Sequence, residues 1–476
     1  MKNKSSMNQE LQHYLAAGHG RGYEIVKAAP EKYRKYVMDL CLRDSSFDLQ
    51  SEGSRAVYAY DLSMLYHDYT PFMRKAIQKF MSESTVADWH ATYHLCDLLM
   101  LYAFESHEKS AAGAIWLQYE KLYKIMMTKR FSYFVNEVCQ CYELIAISLI
   151  GQYDWECTEK IARDLGAWFL RRRTAEKDGL KWQFSWLWSC MNSEYGEEQL
   201  LKRLKRSSAG SKEIRRFLSV MYLKEGQEPG DTGKEKAHKK VLCTAEDVLE
   251  AIKKDEFPRF WRGKYKISTK DKIKIAKAAV EESDLRIKAK IVNLFTYPRF
   301  RWPISTKHLI DWYEITCKKT KRNEPAEMLN AKESLRSAVC DAMCCLQDDD
   351  LYRIVKGKIA DGKKEYMPAY VMVDILINNY HLEDRQIVLD FLNAIPIDRE
   401  DRTGWHGIVL DIVSGEEKDV PEEFLIWVYE NSLCSHCREN AVEELIKKGA
   451  FPIKYRQECQ YDSNLDIRQL VQQSKS

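Results

Sequence analysis

The stretch from residue 434 to residue 470, CSHCRENAVEELIKKGAFPIKYRQECQYDSNLDIRQL, decides the fold of this chain. It contains two helix starts of one type, in which a short polar turn leads to an arginine, first Arg438 and then Arg468. Small or apolar residues follow at three- and four-residue steps, as on the buried face of a helix. Helices that begin repeatedly in this way predict an array of stacked helices.

The same helical spacing extends over most of the chain. In TVADWHATYHLCDLLMLYAF, residues 85–104, large apolar side chains recur every three or four positions from Trp89 to Met100. Alternating apolar and polar runs between turn signals, which would indicate strands, are scarce. We therefore predict an all-α fold with negligible sheet.

Composition narrows the class of protein. A chain of 476 residues is too long for one ordinary core, and 45% hydrophobic with 30% charged residues indicates a folded protein. A formal charge of +3 gives no case for a nucleic-acid or membrane partner. No apolar run reaches membrane-spanning length, and MKNKSSMNQE at the start lacks the apolar core of a signal peptide. We expect no membrane association and a cytoplasmic location, with the 14 cysteines present as reduced thiols.

One break in composition divides the chain. Residues 224–240, KEGQEPGDTGKEKAHKK, contain glycine, proline and charge but almost no apolar residues, which is typical of a surface loop or linker. The prediction is an N-terminal helical array over 1–223, a polar loop or linker over 224–243, and C-terminal repeats over 244–476.

Four short phrases carry a resemblance to a known family. They contain the repeat positions Asp284 and Arg286, Arg336, Arg438, and Asp466 and Arg468. In this respect the C-terminal half resembles the HEAT and armadillo-type α-solenoid family, with irregular spacing between repeats. The resemblance implies a right-handed α-α superhelix, in which turn aspartates and helix-start arginines of adjacent repeats form an ion-pair ladder. We expect Arg438 and Arg468 to contact acidic residues or backbone carbonyls near helix ends.

Cys434-Ser-His-Cys437 has the spacing of a zinc or thiol-exchange motif. A structural zinc site needs four ligands, and the sequence does not connect Cys459, His406 or His381 to this pair. We predict no bound metal and no cofactor, and interpret the two cysteines as packing and capping residues. Metal or redox use remains a weaker alternative.

The polar loop RDSSFDLQSEGSR, residues 43–55, joins two amphipathic helices. Its charged residues are Arg43, Asp44, Asp48, Glu52 and Arg55. Paired carboxylates suit acid–base chemistry, and two arginines suit a phosphate or carboxylate. The alternative is an ordered turn held by its own ion pairs. Because rigid scaffolds carry function on loops, this loop is the candidate site of the N-terminal half.

A basic segment extends from Lys202 to Lys277. Its early part holds Lys202, Arg203, Lys205, Arg206, Arg215 and Arg216. The candidate basic patch is Arg259, Trp261, Arg262, Lys264 and Lys266, where cations alternate with aromatic side chains. This combination would suit phosphate neutralisation and base stacking, although lysine-rich helix faces are also ordinary solvated surface.

Two further patterns carry less weight. Trp182, Trp186 and Trp188, with Phe184, have the spacing of a core helix face rather than of an aromatic box. Residues 18–22, GHGRG, follow no strand, so they do not form a phosphate-binding loop.

Three functional hypotheses remain open. The leading one is a non-enzymatic interaction scaffold that binds a protein or peptide on the concave face of the solenoid. The second is a DNA-binding or DNA-repair solenoid that uses residues 202–277. An enzyme of this kind would resemble an alkylpurine DNA glycosylase, although no catalytic residue can be assigned by motif. The third is a thiol or metal site at Cys434 and Cys437.

Overall fold

The computed structural model describes residues 11–47, 52–83, 89–128, 133–150, 152–171, 184–222, 241–254, 265–296, 300–318, 325–362, 366–394 and 420–474. Regular structure in these ranges is helical apart from two three-residue strands, β1 (Val241–Cys243) and β2 (Tyr265–Ile267), which pair in parallel. The all-α prediction is confirmed. No helix in the described ranges is both long and apolar enough to span a bilayer.

Contacts divide the chain into two compact units. Unit 1 comprises residues 1–230 and 433–476, and unit 2 comprises residues 231–432. The described helices of unit 1 are α1 (11–17), α2 (Gly20–Ala28), α3 (Pro30–Leu42), α4 (Ala56–Ser63), α5 (Thr70–Glu83), α6 (Trp89–Phe104), α7 (Lys109–Thr128), α8 (Tyr133–Ile150), α9 (Trp155–Arg171), α10 (Ser185–Tyr195), α11 (Glu197–Ser208) and α12 (Lys212–Met221), then α22 (Ser435–Lys447), α23 (Ile453–Cys459) and α24 (Leu465–Gln473).

Unit 2 contains β1, β2 and nine described helices. These are α13 (Ala245–Lys253), α14 (Thr269–Glu281), α15 (Leu285–Val292), α16 (Lys307–Cys317), α17 (Ala326–Cys344), α18 (Asp349–Ala360), α19 (Ala369–Asn378), α20 (Arg385–Ala394) and α21 (Glu422–Asn431). Short 3₁₀ turns cover Asn293–Thr296 and Leu382–Asp384.

Local sequence explains where several helices begin. Thr244 and Ser268 accept hydrogen bonds from the backbone N–H groups of Asp247 and Asp271, which caps α13 and α14. The Asp247 carboxylate in turn accepts a bond from the Thr244 backbone N–H, which completes a capping box. Pro30 occupies the first position of α3, where an N–H group has no helical partner to lose.

Helices pack mainly against their near neighbours in sequence. In unit 1, α6 contacts α5, α7 and α8, and α7 contacts α9. In unit 2, α17 contacts α15, α16 and α19, and α18 contacts α20. Most packed pairs are therefore next or next-but-one neighbours in sequence, so the core of each unit is built from successive helices. Two contacts in unit 1 depart from this pattern: α9 packs extensively on α12, three described helices further along, and α2 contacts α23, which joins the two ends of the described chain.

The C-terminal helices are thus placed differently from the sequence expectation. Composition put all of 244–476 into one array, whereas residues 433–476 belong to the same compact unit as residues 1–230. The reason is long-range packing, because partly buried ion pairs, hydrogen bonds and close backbone contacts connect this segment to α1–α4. Such contacts leave no local break in composition, and a composition scan cannot find them.

Helices α9 and α12 cross at very short range. A Cβ atom built on Gly166 of α9 would overlap the backbone carbonyl of Glu213, the second residue of α12. Glycine is required here because a backbone atom, which cannot rotate away, occupies the space of the missing side chain. Trp168 and Phe169 of α9 and Phe217 of α12 are buried beside this crossing.

Replacement of Gly166 by alanine should lower the free energy of unfolding of unit 1 by about 2–3 kcal/mol, because the helices must separate. Gly357 in α18 is the matched control, since nothing lies within 4 Å of a Cβ placed there. Alanine at that site should raise stability by up to about 1 kcal/mol through helix propensity. Urea unfolding followed by circular dichroism measures both, and equal effects would refute the close crossing.

Candidate functional site

The polar loop of residues 43–55 is fastened to the C-terminal helices. Arg55 is buried and donates through Nη1 to the carbonyl oxygens of Ala16 and Ser45, the latter at 2.8 Å. Its Nη2 donates to Glu52 Oε2 at 2.8 Å and to the Leu433 carbonyl at 2.7 Å. Arg55 thus connects four segments of unit 1.

Glu52 complements this arrangement from the same loop. Its Oε2 accepts a bond from the Phe47 backbone N–H at 3.0 Å, and its Oε1 accepts one from the Ser435 N–H at 2.6 Å. Ser435 is the first residue of α22, so the Glu52 carboxylate also lies at a helix N-terminus. Two of the candidate loop residues, Glu52 and Arg55, therefore form hydrogen bonds with backbone groups of the fold, as the ordered-turn alternative requires.

The second connection combines a buried ion pair of Arg438 within residues 433–474 with a link from Arg468 to α4. Its side chain and that of Asp462 are each 0% exposed, and they make two hydrogen bonds of 3.2 and 2.9 Å. The Asp462 carbonyl accepts a bond from Arg468 Nε at 2.5 Å, and Arg468 forms an ion pair of 2.8 Å with Asp61 of α4. Arg438 and Arg468 contact acidic groups and a carbonyl near helix ends, as expected from their positions after polar turns.

A third connection joins α2 to α23. Arg21 makes a bidentate ion pair with Glu458, at 3.0 and 3.1 Å, and donates to the Tyr14 hydroxyl at 2.8 Å. The rings of Tyr23 and Tyr461 stack with their centroids 3.9 Å apart. The contact of α2 with the C-terminal segment is therefore both ionic and aromatic.

The glycines of residues 18–22 serve this contact. A Cβ on Gly20 would overlap the backbone carbonyl of Glu458, and one on Gly18 would overlap the side chain of Ser463. Gly18 also has a positive φ of 65°, and its carbonyl accepts a bond from the Ser463 N–H at 2.7 Å. The glycine pattern allows two backbones to approach, which agrees with rejecting it as a phosphate loop.

We call this set of contacts the terminal junction. It is formed by Gly18, Gly20, Arg21, Glu52, Arg55 and Asp61 on one side and by Leu433, Ser435, Arg438, Glu458, Asp462, Ser463 and Arg468 on the other. Removing one partner of a buried ion pair is costly because the other charge remains desolvated. The fully buried pair, Arg438–Asp462, lies within residues 433–474 and orders that segment. The contacts that hold the segment onto α1–α4 are the ion pairs Arg21–Glu458 and Arg468–Asp61 and the bonds of Arg55 and Glu52 to Leu433 and Ser435.

A cluster of titratable side chains lies near the polar loop. We call Asp44, Ser54, His94 and Asp97 the carboxyl cluster. Asp97 Oδ2 accepts a bond from Ser54 Oγ at 2.8 Å, and Asp44 Oδ1 lies 3.9 Å from His94 Nδ1. His94 Nε2 is 2.9 Å from the Leu40 carbonyl, so this nitrogen carries the proton.

Burial shifts the titration of this cluster. Loss of solvation, with a further contribution from the nearby Asp44 charge, raises the pKa of Asp97 to about 7 against the hydrogen bond from Ser54. Burial lowers the pKa of His94, although Asp44 acts in the opposite direction. The group that burial brings toward neutral pH is Asp97 of α6, which is not one of the five charged residues that the sequence singled out in the loop.

The raised pKa of Asp97 predicts a pH dependence of stability. The folded state keeps the proton up to about pH 7, whereas the unfolded chain releases it near pH 3.8. The protonated form contributes its full share to the free energy of unfolding below pH 3.8. That contribution falls as the pH rises to about 7, by at most about 1.4 kcal/mol per pH unit. Asp97→Asn should remove this loss, so its stability advantage over the wild type should grow across that window.

Urea unfolding at pH 4, 5, 6, 7 and 8 measures this advantage. Asp68→Asn is the control of opposite sign, because hydrogen bonds from Thr70 hold the pKa of Asp68 below its ordinary value. Because this carboxyl is ionised in both the folded and the unfolded state above about pH 4, the loss of stability in Asp68→Asn should be constant across the series. An Asp97→Asn difference independent of pH would contradict the buried carboxyl.

The remaining loop and patch residues are not brought together. Arg43 is exposed, and Asp48 lies outside the described residues. Of the candidate basic patch, Arg259, Trp261, Arg262 and Lys264 also lie outside them, and only the backbone of Lys266 is described, in β2. The structure assigns no geometry to that patch.

Repeat positions in unit 2 make local rather than inter-repeat contacts. Arg286 pairs with Asp284 of the same turn at 3.3 Å, and Arg336 lies 3.7 Å from Glu333 of its own helix. In unit 1, Asp466 is exposed in the first turn of α24, and Asp462 instead pairs with Arg438. Among the described repeat positions, this single ion pair has the form of the expected ladder.

Other sequence candidates have clear surroundings. Cys434 and Cys437 are buried and carry no disulfide. In the described ranges, no group of three or more His, Cys, Asp or Glu side chains is arranged to hold a metal ion. Phe184 is buried but Trp186 is 62% exposed, so the prediction that these aromatic side chains share the core face of a helix is wrong for Trp186.

Comparison with known proteins gives no assignment. The chain matches no family model, no curated protein and no solved structure. Functional inference for this all-helical protein therefore rests on its own residues.

Sequence reasoning missed half of the terminal junction. It named Arg438 and Arg468 but not their partners Asp462 and Asp61, and it left Arg21 and Glu458 unmentioned. The detectable signal was the spacing of Gly18, Gly20 and Gly22 outside any phosphate-loop context, which indicates a close approach of backbones.

Proposed function

We propose that this protein is a non-enzymatic interaction scaffold of the HEAT or armadillo type, whose concave face binds a protein or peptide. The observation that carries the proposal is the packing of helices against next and next-but-one neighbours in both units. Stacking of this kind is how right-handed α-α superhelices build a continuous core and an extended binding face. The proposal includes a cytoplasmic location, which imaging of the tagged protein tests.

The orientation of the polar loop supports a scaffold over an enzyme. Glu52 and Arg55, the strongest chemical candidates of the loop, direct their hydrogen bonds to Phe47, Leu433 and Ser435 inside the fold. A catalytic acid or an anion-binding arginine must instead reach a substrate. These two residues serve the scaffold by holding its helices together.

Trp186 is the residue we assign to partner contact. It lies in α10 between the buried Phe184 and Leu187, yet its own side chain is 62% exposed. Tryptophan is enriched among the residues that dominate binding energy at protein interfaces. We expect it to enter an apolar pocket of the partner.

Affinity capture of the intact protein, with and without nuclease, identifies a partner, and titration calorimetry with that purified partner tests the contact. Trp186→Ser should weaken binding at least about tenfold, in the range of interface hot spots. Leu382→Ser is the control, because Leu382 is also an exposed apolar residue. Capture that disappears with nuclease, or equal affinities of both variants, would overturn the proposal.

A nucleic-acid-binding solenoid is the second candidate. The observation in its favour is that α11 and α12, which pack together, carry Lys202, Lys205, Arg206 and Arg215 on exposed positions. Arg203 is partly engaged instead, since its guanidinium lies 5.1 Å from the ring of Trp155. Cations on adjacent helices can neutralise successive phosphates without reading bases.

Duplex and single-strand binding across a salt series tests this candidate. Charge reversal of Lys202, Lys205 and Arg206 to Glu should abolish low-salt binding if α11 contacts phosphates, since each lost contact also removes counterion release. The same reversal at Arg259, Arg262, Lys264 and Lys266 tests the other half of the basic segment. Wild-type protein that does not bind even at low salt would exclude this candidate.

A further inference from the structure

Two cysteines occupy the first turn of α22. Cys434 is the N-cap residue, and Cys437 lies three positions later, within the helix. Residues three apart at a helix start have Cα atoms about 5–6 Å apart, which lies inside the range that a disulfide spans. The backbone at this site therefore accommodates either two thiols or one disulfide.

The two sulfur atoms already interact. The hydrogen bond from the Cys437 thiol lowers the pKa of Cys434, while the same bond and burial raise the pKa of Cys437. The charge of Arg438 favours the thiolate of both residues. One sulfur is thus prepared to attack and the other to retain its proton, which is the division of roles in dithiol exchange.

We propose that Cys434 and Cys437 form a redox-active dithiol, which low-molecular-weight disulfides such as glutathione disulfide oxidise to an intramolecular disulfide. The Cys434 thiolate attacks one glutathione sulfur and releases the first glutathione thiolate. The Cys437 sulfur, after losing its proton, attacks Cys434 and releases the second. The protein loses two protons and two electrons, and glutathione disulfide becomes two molecules of glutathione.

The terminal junction controls access to this site. The two side chains are only 3% and 2% exposed. The segment that carries them is held by Arg55 at the Leu433 carbonyl and by Glu52 at the Ser435 N–H. Oxidation therefore requires local opening of these contacts, so its rate reports how often the segment comes away from the polar loop.

The experiment equilibrates the full chain with glutathione mixtures of increasing oxidising strength. Remaining thiols are then blocked with iodoacetamide, and the peptides are mapped by mass spectrometry. A Cys434–Cys437 disulfide should form as the mixture becomes oxidising and revert with excess glutathione. Cys434→Ser and Cys437→Ser should each prevent it. A parallel sample, refolded from reduced, denatured protein in the same mixtures, reaches equilibrium even where access in the folded state is slow.

Cys139 and Cys141 provide an internal control. They are also buried and close in sequence, but two residues along α8 turn the side chains by about 200°, onto different faces of the helix. They should remain reduced in every mixture. Glu52→Gln, which weakens the hold on Ser435, should speed oxidation of the folded protein at least about fivefold without changing which disulfide forms.

Two results would overturn the proposal. The first is that Cys434 and Cys437 remain fully alkylated in both the folded and the refolded samples at the most oxidising mixture. The second is that they oxidise no more readily than Cys139 and Cys141, which would show ordinary thiols without special pairing.

Discussion

Replacement of Arg438 by alanine is expected to lower the free energy of unfolding of unit 1 by about 3–5 kcal/mol. The guanidinium and its partner Asp462 are both 0% exposed. Alanine would leave the Asp462 carboxylate desolvated without its counter-charge, and that carboxylate is too deeply buried to recover water cheaply. Chemical denaturation with a probe in unit 1 measures the change.

Two further variants distinguish the effect of the unpaired Asp462 carboxylate from a general loss of packing. Arg438→Met combined with Asp462→Leu removes both charges and keeps apolar volume, so it should recover much of the lost stability. Arg286→Ala removes an exposed ion pair and should leave the free energy of unfolding nearly unchanged. A double variant as unstable as Arg438→Ala would show that the aspartate is not the source of the effect.

Gly20→Ala is expected to destabilise unit 1 by about 3 kcal/mol, although the change adds a single methyl group. The new Cβ would overlap the Glu458 carbonyl, so α2 and α23 must separate. Separation also lengthens the bidentate ion pair between Arg21 and Glu458. Thermal unfolding monitored by circular dichroism provides the measurement.

Gly113→Ala in α7 is the matched control for this variant. Nothing lies within 4 Å of a Cβ at Gly113, so alanine there should be neutral or stabilise the helix by up to about 1 kcal/mol. If Gly20→Ala behaves like Gly113→Ala, α2 and α23 do not touch as closely as the structure places them.

Local chemistry made the helices predictable. Apolar spacing over residues 85–104 indicated α6, and side chains such as Thr244 and Ser268 cap their own helices. Each signal acts within one or two turns, so the chain reveals it without knowledge of the fold. The position of Arg438 after a polar turn belongs to the same class of signal.

Partner choice was not predictable in the same way. The sequence indicated Asp466 as the acidic residue of the last repeat. In the structure Asp462 pairs with Arg438, whereas Asp466 is exposed in the first turn of α24. Glu458 and Arg21 are 437 positions apart, and no local pattern connects them. Contacts of this range depend on how whole helices stack, which a single sequence does not specify.

The terminal junction gives the scaffold proposal a physical basis. A stacked array leaves the apolar face of its end helices open, and such arrays need a covering segment at each end. In the proposed scaffold, residues 433–474 would supply that cover for α1–α4, to which the ion pairs and hydrogen bonds of the terminal junction hold them. Asp44 and Ser54 of the carboxyl cluster lie close in sequence to Glu52 and Arg55, and the Cys434–Cys437 pair lies close to Leu433 and Ser435. We therefore expect pH and thiol oxidation to act on these connections.

The central claim is that residues 433–474 and the first helices are stabilised by each other. Hydrogen–deuterium exchange of the full chain, comparing wild type with Arg438→Ala under native conditions, tests it most directly. The account predicts that amides of α2 and α3 and of α23 and α24 lose protection together, while those of α9 and α12 keep theirs. Faster exchange in α23 and α24 alone, with α2 and α3 unchanged, would contradict the claim.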